Sequence, residues 1–265
     1  MSASLGNNSI TPDSSSGYSG FEEHSGPLHS FLEHATLLIF PVVFSLNLHW
    51  AGSRLYELEL LWLLALAIPL GVVGGDLVSG IVHWAADTYG SEDTPVIGPS
   101  LVKPFRLHHV YPRDICTHGL VETTGNVCIL AVPVLSVSLY LLWLMPDSGW
   151  LAFSVVCLAL VTAATVATNQ FHKWAHQESP SSLARWLQRK RLVLEPQHHQ
   201  LHHTHPFNVN YCITNGWLNP LLNRVKFFRR LEAALGFCGI KTTNAKAMTQ
   251  DDQGDSRTLR LKRSS

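Results

Sequence analysis

The sequence predicts an all-α integral membrane protein with about four transmembrane helices and a cytoplasmic histidine-rich helical cap. Three observations favour this fold class. Charged residues make up only 14% of the 265-residue chain, whereas soluble domains carry about 25%. Four apolar stretches are each long enough to cross a bilayer. The chain also has 15 histidines, nearly as many as its 19 acidic residues, and most of them lie beside these stretches.

The four apolar stretches indicate transmembrane helices. Each has about 17 to 23 residues, which spans a hydrocarbon core of roughly 30 Å at 1.5 Å per residue. Their single charged residue is Asp76. A soluble helical core is the less favoured alternative, because a surface helix needs a polar face. The stretches are residues 35–51, 60–82, 127–145 and 149–168.

The segments outside these stretches predict the orientation. Residues 1–30 are expected to form a disordered leader and residues 241–265 a disordered tail, with the membrane domain at 31–240. Fifteen of the 19 Lys and Arg residues lie from Lys173 onward. The positive-inside rule therefore places both termini and the 84–126 loop in the cytoplasm. The membrane is expected to be a bacterial inner membrane or the endoplasmic reticulum.

Composition excludes several classes of protein. A formal net charge of zero argues against a nucleic-acid binder driven by basic charge. Five scattered cysteines without a CxxC pair argue against a disulfide scaffold and a thiolate zinc site.

The histidines form four groups that suggest metal binding. Two histidines at i and i+4 on a helix face the same way and can hold one metal. Two i, i+1 pairs spaced by four residues can serve two adjacent metals. Imidazole suits Zn, Cu, Fe and Ni, and a nitrogen-rich pair of sites at a membrane surface favours iron that activates O2. A metal transporter or store is disfavoured, because the third and fourth stretches contain no ionisable residue.

Two carboxylates lie on one helical face, Asp76 inside the second apolar stretch and Asp87 just after it. Asp76, Gly80, His83 and Asp87 recur at i, i+4, i+7 and i+11. A carboxylate at Asp76 is costly inside an apolar region without a partner. A metal, a histidine N–H, or a Lys or Arg side chain that serves packing would each supply one.

Five segments contain most of the histidines and their neighbours. The segments are DLVSGIVHWAADTYGS (76–91), FRLHHVYP (105–112), THGLVETTGN (117–126), NQFHKWAH (169–176) and HHQLHHTHPFNVNYCITNGWLN (198–219). They resemble the plasmanylethanolamine desaturase family, also called the CarF/Kua histidine-box membrane desaturases. The resemblance covers residues from about 70 to 235.

The resemblance implies that the 31–240 domain is an O2-dependent lipid desaturase with two iron ions. Its reaction would form the vinyl ether double bond of plasmalogens from 1-O-alkyl ethanolamine phospholipids. No side chain would be catalytic beyond the metal centre. Asp76 and Asp87 are expected to orient ligand imidazoles, with Asp87 a possible ligand. The implied ligands are His83, His108, His109, His118, His172, His176, His198, His199, His202 and His203.

Two other activities stay open beside this one. A plastid branch of the family desaturates an acyl chain of phosphatidylglycerol, and a di-iron lipid hydroxylase would share the chemistry. The plastid branch typically lacks the histidine at His118 and the run at 122–126, which this sequence keeps. The sequence departs from the family pattern at Tyr111, Gly119 and Thr124.

Partners are predicted from what the sequence lacks and from its basic residues. No GxGxxG or CxxCH motif appears, so the reductant must be a separate protein. The resemblance implies cytochrome b5 or a ferredoxin-like donor. Lys103, Arg106 and Arg113 could contact lipid phosphate or only anchor the chain. The 189–191 basic run could dock the donor or bind the lipid surface.

Overall fold

The computed structural model describes residues 26–95 and 97–243, and every regular element within them is helical. The all-α prediction is confirmed. Residues 1–25 and 244–265, which hold most of the predicted leader and tail, lie outside the described residues. The helices are α1 (Pro27–Glu57), α2 (Leu64–Thr88), α3 (Lys103–Val110), α4 (Leu120–Leu144), α5 (Gly149–His176), α6 (Ser182–Arg189), α7 (Pro196–Gln200), α8 (Asn219–Arg224) and α9 (Phe227–Phe237).

Four of these helices are long and apolar enough to cross a membrane, as predicted. They are α1, α2 with the short 3-10 turn before it, α4 and α5. Large apolar side chains remain exposed along them, such as Leu38, Leu130 and Trp143. Exposed apolar surface of this extent suits contact with lipid chains rather than water.

The long helices extend beyond the predicted apolar stretches, and the extensions of α2 and α5 carry candidate ligands. The second stretch was expected to end at residue 82, but α2 runs to Thr88. The fourth was expected to end at 168, but α5 runs to His176. No helix breaker follows either apolar stretch directly, so each helix extends by about two turns. These extensions carry His83, Asp87 and His172 on rigid helices.

The long helices pack in pairs, α1 against α4 and α2 against α5. The α2–α5 pair is close because glycines line α2. A Cβ atom at Gly75 would lie 2.4 Å from the Cβ of Ala164, and one at Gly71 would lie 2.3 Å from the Cβ of Leu160. Small residues of this kind allow membrane helices to approach. The packing fixes the polar ends of α2 and α5 side by side.

The two tight turns between long helices lie at one end of the bundle. A Cβ at Gly149, where α5 begins, would touch Leu58 and Leu60 of the α1–α2 connection. The long α2–α4 connection and the segments after α5 gather at the opposite end. The histidine-rich end is therefore one pole of the bundle.

A non-helical segment, residues 209–218, packs against the middle of α2. Asp76 is fully buried there. Its Oδ1 accepts hydrogen bonds from the backbone N–H groups of Asn215 (3.1 Å) and Gly216 (2.9 Å), and its Oδ2 accepts one from Leu218 (3.0 Å). Irregular backbone at membrane depth needs such internal partners. Asp76 thus has backbone amides as partners rather than a Lys or Arg.

We expect both ends of this chain to face the same side of the membrane, because four spans return the chain to its starting side. Single cysteines at residues 2 and 264 should react with an impermeant thiol reagent from one face. Ser148→Cys, in the short α4–α5 turn, should react only from the other face. Labelling of the two ends from opposite faces would contradict four spans.

We also expect Asp76→Ala to destabilise the protein by about 3 kcal/mol, since it leaves three buried N–H groups without an acceptor. Asp76→Asn keeps one acceptor oxygen and should cost less. Unfolding in detergent, followed by circular dichroism, measures the difference. Asp147→Ala, at an exposed carboxylate, is the control and should stay within about 0.5 kcal/mol of the wild type.

Candidate metal centre

Eight of the ten predicted histidines, together with Asp87, come together in two adjacent groups. Within each group the candidate ligand atoms all lie within 4.8 Å of one another. The five-histidine cluster consists of His108, His172, His176, His199 and His203. The mixed cluster consists of His83, Asp87, His109 and His202.

In the five-histidine cluster the Nε2 atoms face one another. The distances are 2.8 Å between His172 and His199, 3.0 Å between His108 and His176, and 3.0 Å between His199 and His203. Nitrogen ligands about 2.1 Å from one metal ion lie roughly 3.0 to 3.4 Å apart. Each Nε2 carries either one N–H or one lone pair, so hydrogen bonds cannot pair all five atoms, whereas a metal cation can accept all five lone pairs. This donor set therefore fits a metal ion.

In the mixed cluster a buried carboxylate lies among three imidazoles. The Oδ2 atom of Asp87 is 3.0 Å from His109 Nε2, 3.5 Å from His83 Nε2 and 3.6 Å from His202 Nε2. The four side chains come from α2, α3 and the segment after α7. Three imidazole nitrogens and one carboxylate oxygen are ligands that iron accepts.

Backbone carbonyl groups fix the tautomer of two mixed-cluster histidines. A carbonyl only accepts, so His83 Nδ1 donates to the Tyr211 oxygen (3.1 Å) and His202 Nδ1 donates to the Val209 oxygen (2.8 Å). Their Nε2 atoms are then lone-pair acceptors. Both are buried without a hydrogen-bond partner in the described residues. A metal ligand is oriented in this way by the hydrogen bond of its other nitrogen.

Four of the imidazoles beyond the spans are held in the neutral form. Burial, followed by the nearby His109 ring, lowers the pKa of His202 to about 3, and the same causes lower the pKa of His203 to about 3. Burial also lowers the pKa of His108 and His199 well below the usual value. Neutral imidazole is the form that binds metals.

Neighbouring histidines in the sequence are divided between the two clusters. His108 joins the five-histidine cluster while His109 joins the mixed cluster, and the same division separates His203 from His202. The His109 and His203 rings are 5.2 Å apart, and the His202 and His203 rings 5.6 Å. Two metals served by these residues would therefore be neighbours.

His118 and His198 are not in either cluster. His118 lies at the start of α4, with its ring nitrogens 3.4 Å from Asp114 and Glu122, and its carbonyl accepts from Lys173. His198 Nε2 accepts a hydrogen bond from the Asn219 amide (2.9 Å). The structure therefore gives both histidines partners within the chain.

The three basic residues assigned to lipid phosphate lie outside both clusters. Arg106 donates to the carbonyl oxygens of Tyr89 (3.3 Å) and Gly90 (3.0 Å) and to the hydroxyl of Thr243 (3.0 Å). Arg113 forms an exposed ion pair with Glu178. Lys103 begins α3. Arg106 thus ties the exit of α2 to the end of the described chain.

Residues 208–219, the second half of the last segment that resembles the family, had no physical role that the sequence predicted. The structure shows that these residues supply the Val209 and Tyr211 carbonyls and the loop held by Asp76. Two aromatic rings also cover the mixed cluster, Phe105 against His83 (4.9 Å) and Phe207 against His109 (4.9 Å). The cost of Asp76 in an apolar stretch was the one sequence signal that pointed to this contact.

The fold and the two clusters define a multi-pass helical membrane protein with a candidate two-metal histidine site. Residues 72–245 match the lipid desaturase domain model, which is more than half of the chain. The chain belongs to the lipid desaturase domain family. This confirms the family resemblance seen in the sequence.

Several relatives of known name are similar to this chain. A plasmanylethanolamine desaturase of Myxococcus xanthus is 47% identical over 171 residues, which is 64% of this chain and 60% of the relative. Plasmanylethanolamine desaturase 1 of Mus musculus is 39% identical over 178 residues, 62% of this chain and 64% of the relative. The chloroplastic fatty acid desaturase 4 of Arabidopsis thaliana is 34% identical over 175 residues, 65% of this chain and 52% of the relative. The chain thus spans about three fifths of the first two relatives. No solved structure matches.

We predict that removal of one ligand from either cluster lowers the metal content of purified protein. His172→Ala should reduce it by about one ion per chain, and His83→Ala should do the same at the other cluster, because each loses a buried ligand. Elemental analysis by mass spectrometry measures this. His205→Ala, at an exposed histidine outside both clusters, should keep the wild-type content.

Proposed function

We propose that this protein is an O2-dependent desaturase that forms the vinyl ether double bond of plasmalogens in 1-O-alkyl ethanolamine phospholipids, with two iron ions at the two clusters. The convergence of eight histidines and Asp87 at one end of four apolar helices carries the proposal. A site at this position suits a substrate that lies in the bilayer.

The reaction removes two hydrogens from neighbouring saturated carbons, which no side chain can do as an acid or a base. Two bound irons would supply O2 activation and abstraction of hydrogen atoms, because cofactors carry such chemistry. Overall, one O2, two electrons from a donor and two protons are consumed, the lipid loses two hydrogens, and two waters form.

The chain's own residues would set the geometry and polarity of the site. His83 and His202 are held by the Tyr211 and Val209 carbonyls, so their Nε2 atoms stay directed at the mixed cluster. Asp87 gives that cluster one negative charge. Burial of most of these side chains excludes water, which protects a reactive site from side reactions.

Ether lipids are favoured over acyl lipids as substrates. The relatives named as plasmanylethanolamine desaturases are 47% and 39% identical, and the chloroplastic fatty acid desaturase 4 is 34% identical. The residues that mark the ether-lipid branch lie at the start of α4 and are hydrogen-bonded to α5. Glu122 accepts from the Gly119 N–H (2.8 Å) beside His118, and Asn169 of α5 donates to the Thr123 carbonyl (2.8 Å).

The clusters sit where the polar ends of α2 and α5 meet, near the expected head-group boundary. An oxidant there would reach the first carbons of the alkyl chain. The C–H bond beside an ether oxygen is weakened, because the oxygen lone pair stabilises the adjacent carbon radical. In this proposal both termini and the clusters face the cytoplasm, and a separate protein supplies the electrons.

We expect a plasmalogen-free host that expresses this chain and receives alkylglycerol to yield lipids that release long-chain aldehydes in acid. A vinyl ether is acid-labile, whereas an acyl-chain double bond is not. His109→Ala, His172→Ala and His203→Ala should each lower the aldehyde yield at least a hundredfold, while the exposed control His205→Ala keeps it. Chelation of iron should also abolish it.

Two results would contradict the proposal. An acid-stable double bond in an ester-linked chain would identify an acyl-lipid desaturase, the activity named for the chloroplastic relative. A hydroxylated alkyl chain without aldehyde release would identify a lipid hydroxylase.

A further inference from the structure

A cluster of exposed cations lies on α8 and α9. Arg224 ends α8, Lys226 precedes α9, and Arg229 and Arg230 lie in its first turn. All four are exposed. None forms an ion pair in the part of the chain that the structure describes. We call these four residues the α8–α9 basic surface.

Aromatic rings connect this surface to the mixed cluster. Phe228, buried at the start of α9, lies 4.9 Å from the Tyr211 ring. Tyr211, also buried, lies 5.2 Å from the His202 ring and 5.8 Å from the His83 ring. Phe228 is directly followed in the chain by Arg229 and Arg230. Packed side chains therefore fill the whole distance from the basic surface to two candidate metal ligands.

Helix α9 also packs against α2, at Trp84 beside His83. The Trp84 ring is 5.5 Å from Phe228, and its Nε1 donates to Glu232 of α9 at 2.9 Å. Electron tunnelling falls steeply with distance and passes more readily through packed atoms than across gaps. A carrier seated on α9 would thus be close to the mixed cluster without entering it.

We propose that the α8–α9 basic surface docks an acidic one-electron carrier protein, and that Phe228 and Tyr211 bridge it to the mixed cluster. This inference rests on the proposed function, which needs two electrons per turnover from a separate donor. The carrier gives them one at a time, and with two protons from solvent and the two hydrogens lost by the lipid they convert O2 to two waters.

Charge favours a carrier protein here. Unpaired cations steer an acidic partner, and redox encounters use small, transient surfaces. The 189–191 run, the site considered from the sequence, is a weaker candidate. Arg191 is 3.4 Å from Glu195, and no ring contact joins α6 to either cluster among the described residues. Arg189 and Lys190 therefore make a matched control.

The test uses the full chain in nanodiscs of neutral lipid, with cytochrome b5 and a plant-type ferredoxin as separate probes. Binding of the oxidised probe is measured at low and high salt, on both metal-free and metal-loaded protein. Arg229→Glu with Arg230→Glu should weaken binding at least tenfold at low salt, and the difference should shrink at high salt. Arg189→Glu with Lys190→Glu should change binding less than twofold.

A second measurement separates docking from chemistry. Protein reduced by dithionite and then given O2 and lipid bypasses the carrier, so the Arg229/Arg230 variant should form as much product as the wild type. Phe228→Leu should leave probe binding unchanged but slow metal reduction at saturating probe. If the wild type binds a probe in this charge-dependent way yet forms no vinyl ether after dithionite, the proposed function fails and the docking surface stands.

Three outcomes would overturn the inference. The first is that neither probe binds the wild type. The second is that the α6 control loses as much binding as the α9 variant. The third is that the α9 variant binds the probe normally but forms less product after dithionite reduction in nanodiscs of anionic lipid, and only there. That result would assign the surface to lipid contact.

Discussion

A buried carboxylate on a membrane helix is stable only if donors surround it, and Asp76 meets this requirement with three backbone N–H groups of residues 215–218. Much of the candidate site depends on this contact. It draws a non-helical segment against α2, where Gly80 leaves room for Cys212. The same segment then presents the Tyr211 and Val209 carbonyls to two histidines of the mixed cluster. Asp76 thus helps to orient candidate ligands that lie about two turns further along α2 and in the segment after α7.

The two clusters differ in charge, which matters for any metals they hold. Five neutral imidazoles face one another in the first, whereas Asp87 adds a carboxylate to the second. A bound cation in the mixed cluster would be partly neutralised by that carboxylate, and one in the five-histidine cluster would not. Metal sites with unequal ligand charge differ in affinity and redox potential. In the proposed docking, the Phe228 ring of α9 and the Tyr211 ring of the 209–218 segment lead to the mixed cluster, so that site would receive the electrons first.

The candidate ligands lie partly on long, rigid helices and partly on short segments. His83, Asp87, His172 and His176 lie on the extended ends of α2 and α5, which are fixed by close glycine packing. His108 and His109 lie on α3, and the remaining ligands lie in or just after the short α7. Backbone and side-chain contacts with the 209–219 segment support this shorter part. Ligands on both kinds of element converge because the α2–α5 pair brings two polar helix ends together.

The sequence by itself determined the four long helices, because a bilayer-length run without charges has few alternatives to a membrane helix. It also determined that His172 and His176 lie on one face of a helix, since residues at i and i+4 share a face. The sequence did not show that the candidate ligands form two clusters. His108 and His109 are adjacent in the chain, and only the directions of their side chains place them in different clusters. Local sequence patterns also did not predict that Asp76 contacts residues 215–218, or that His118 and His198 lie outside the clusters. These features are contacts between distant segments, and only the packing of α2, α5 and the C-terminal segment decided them.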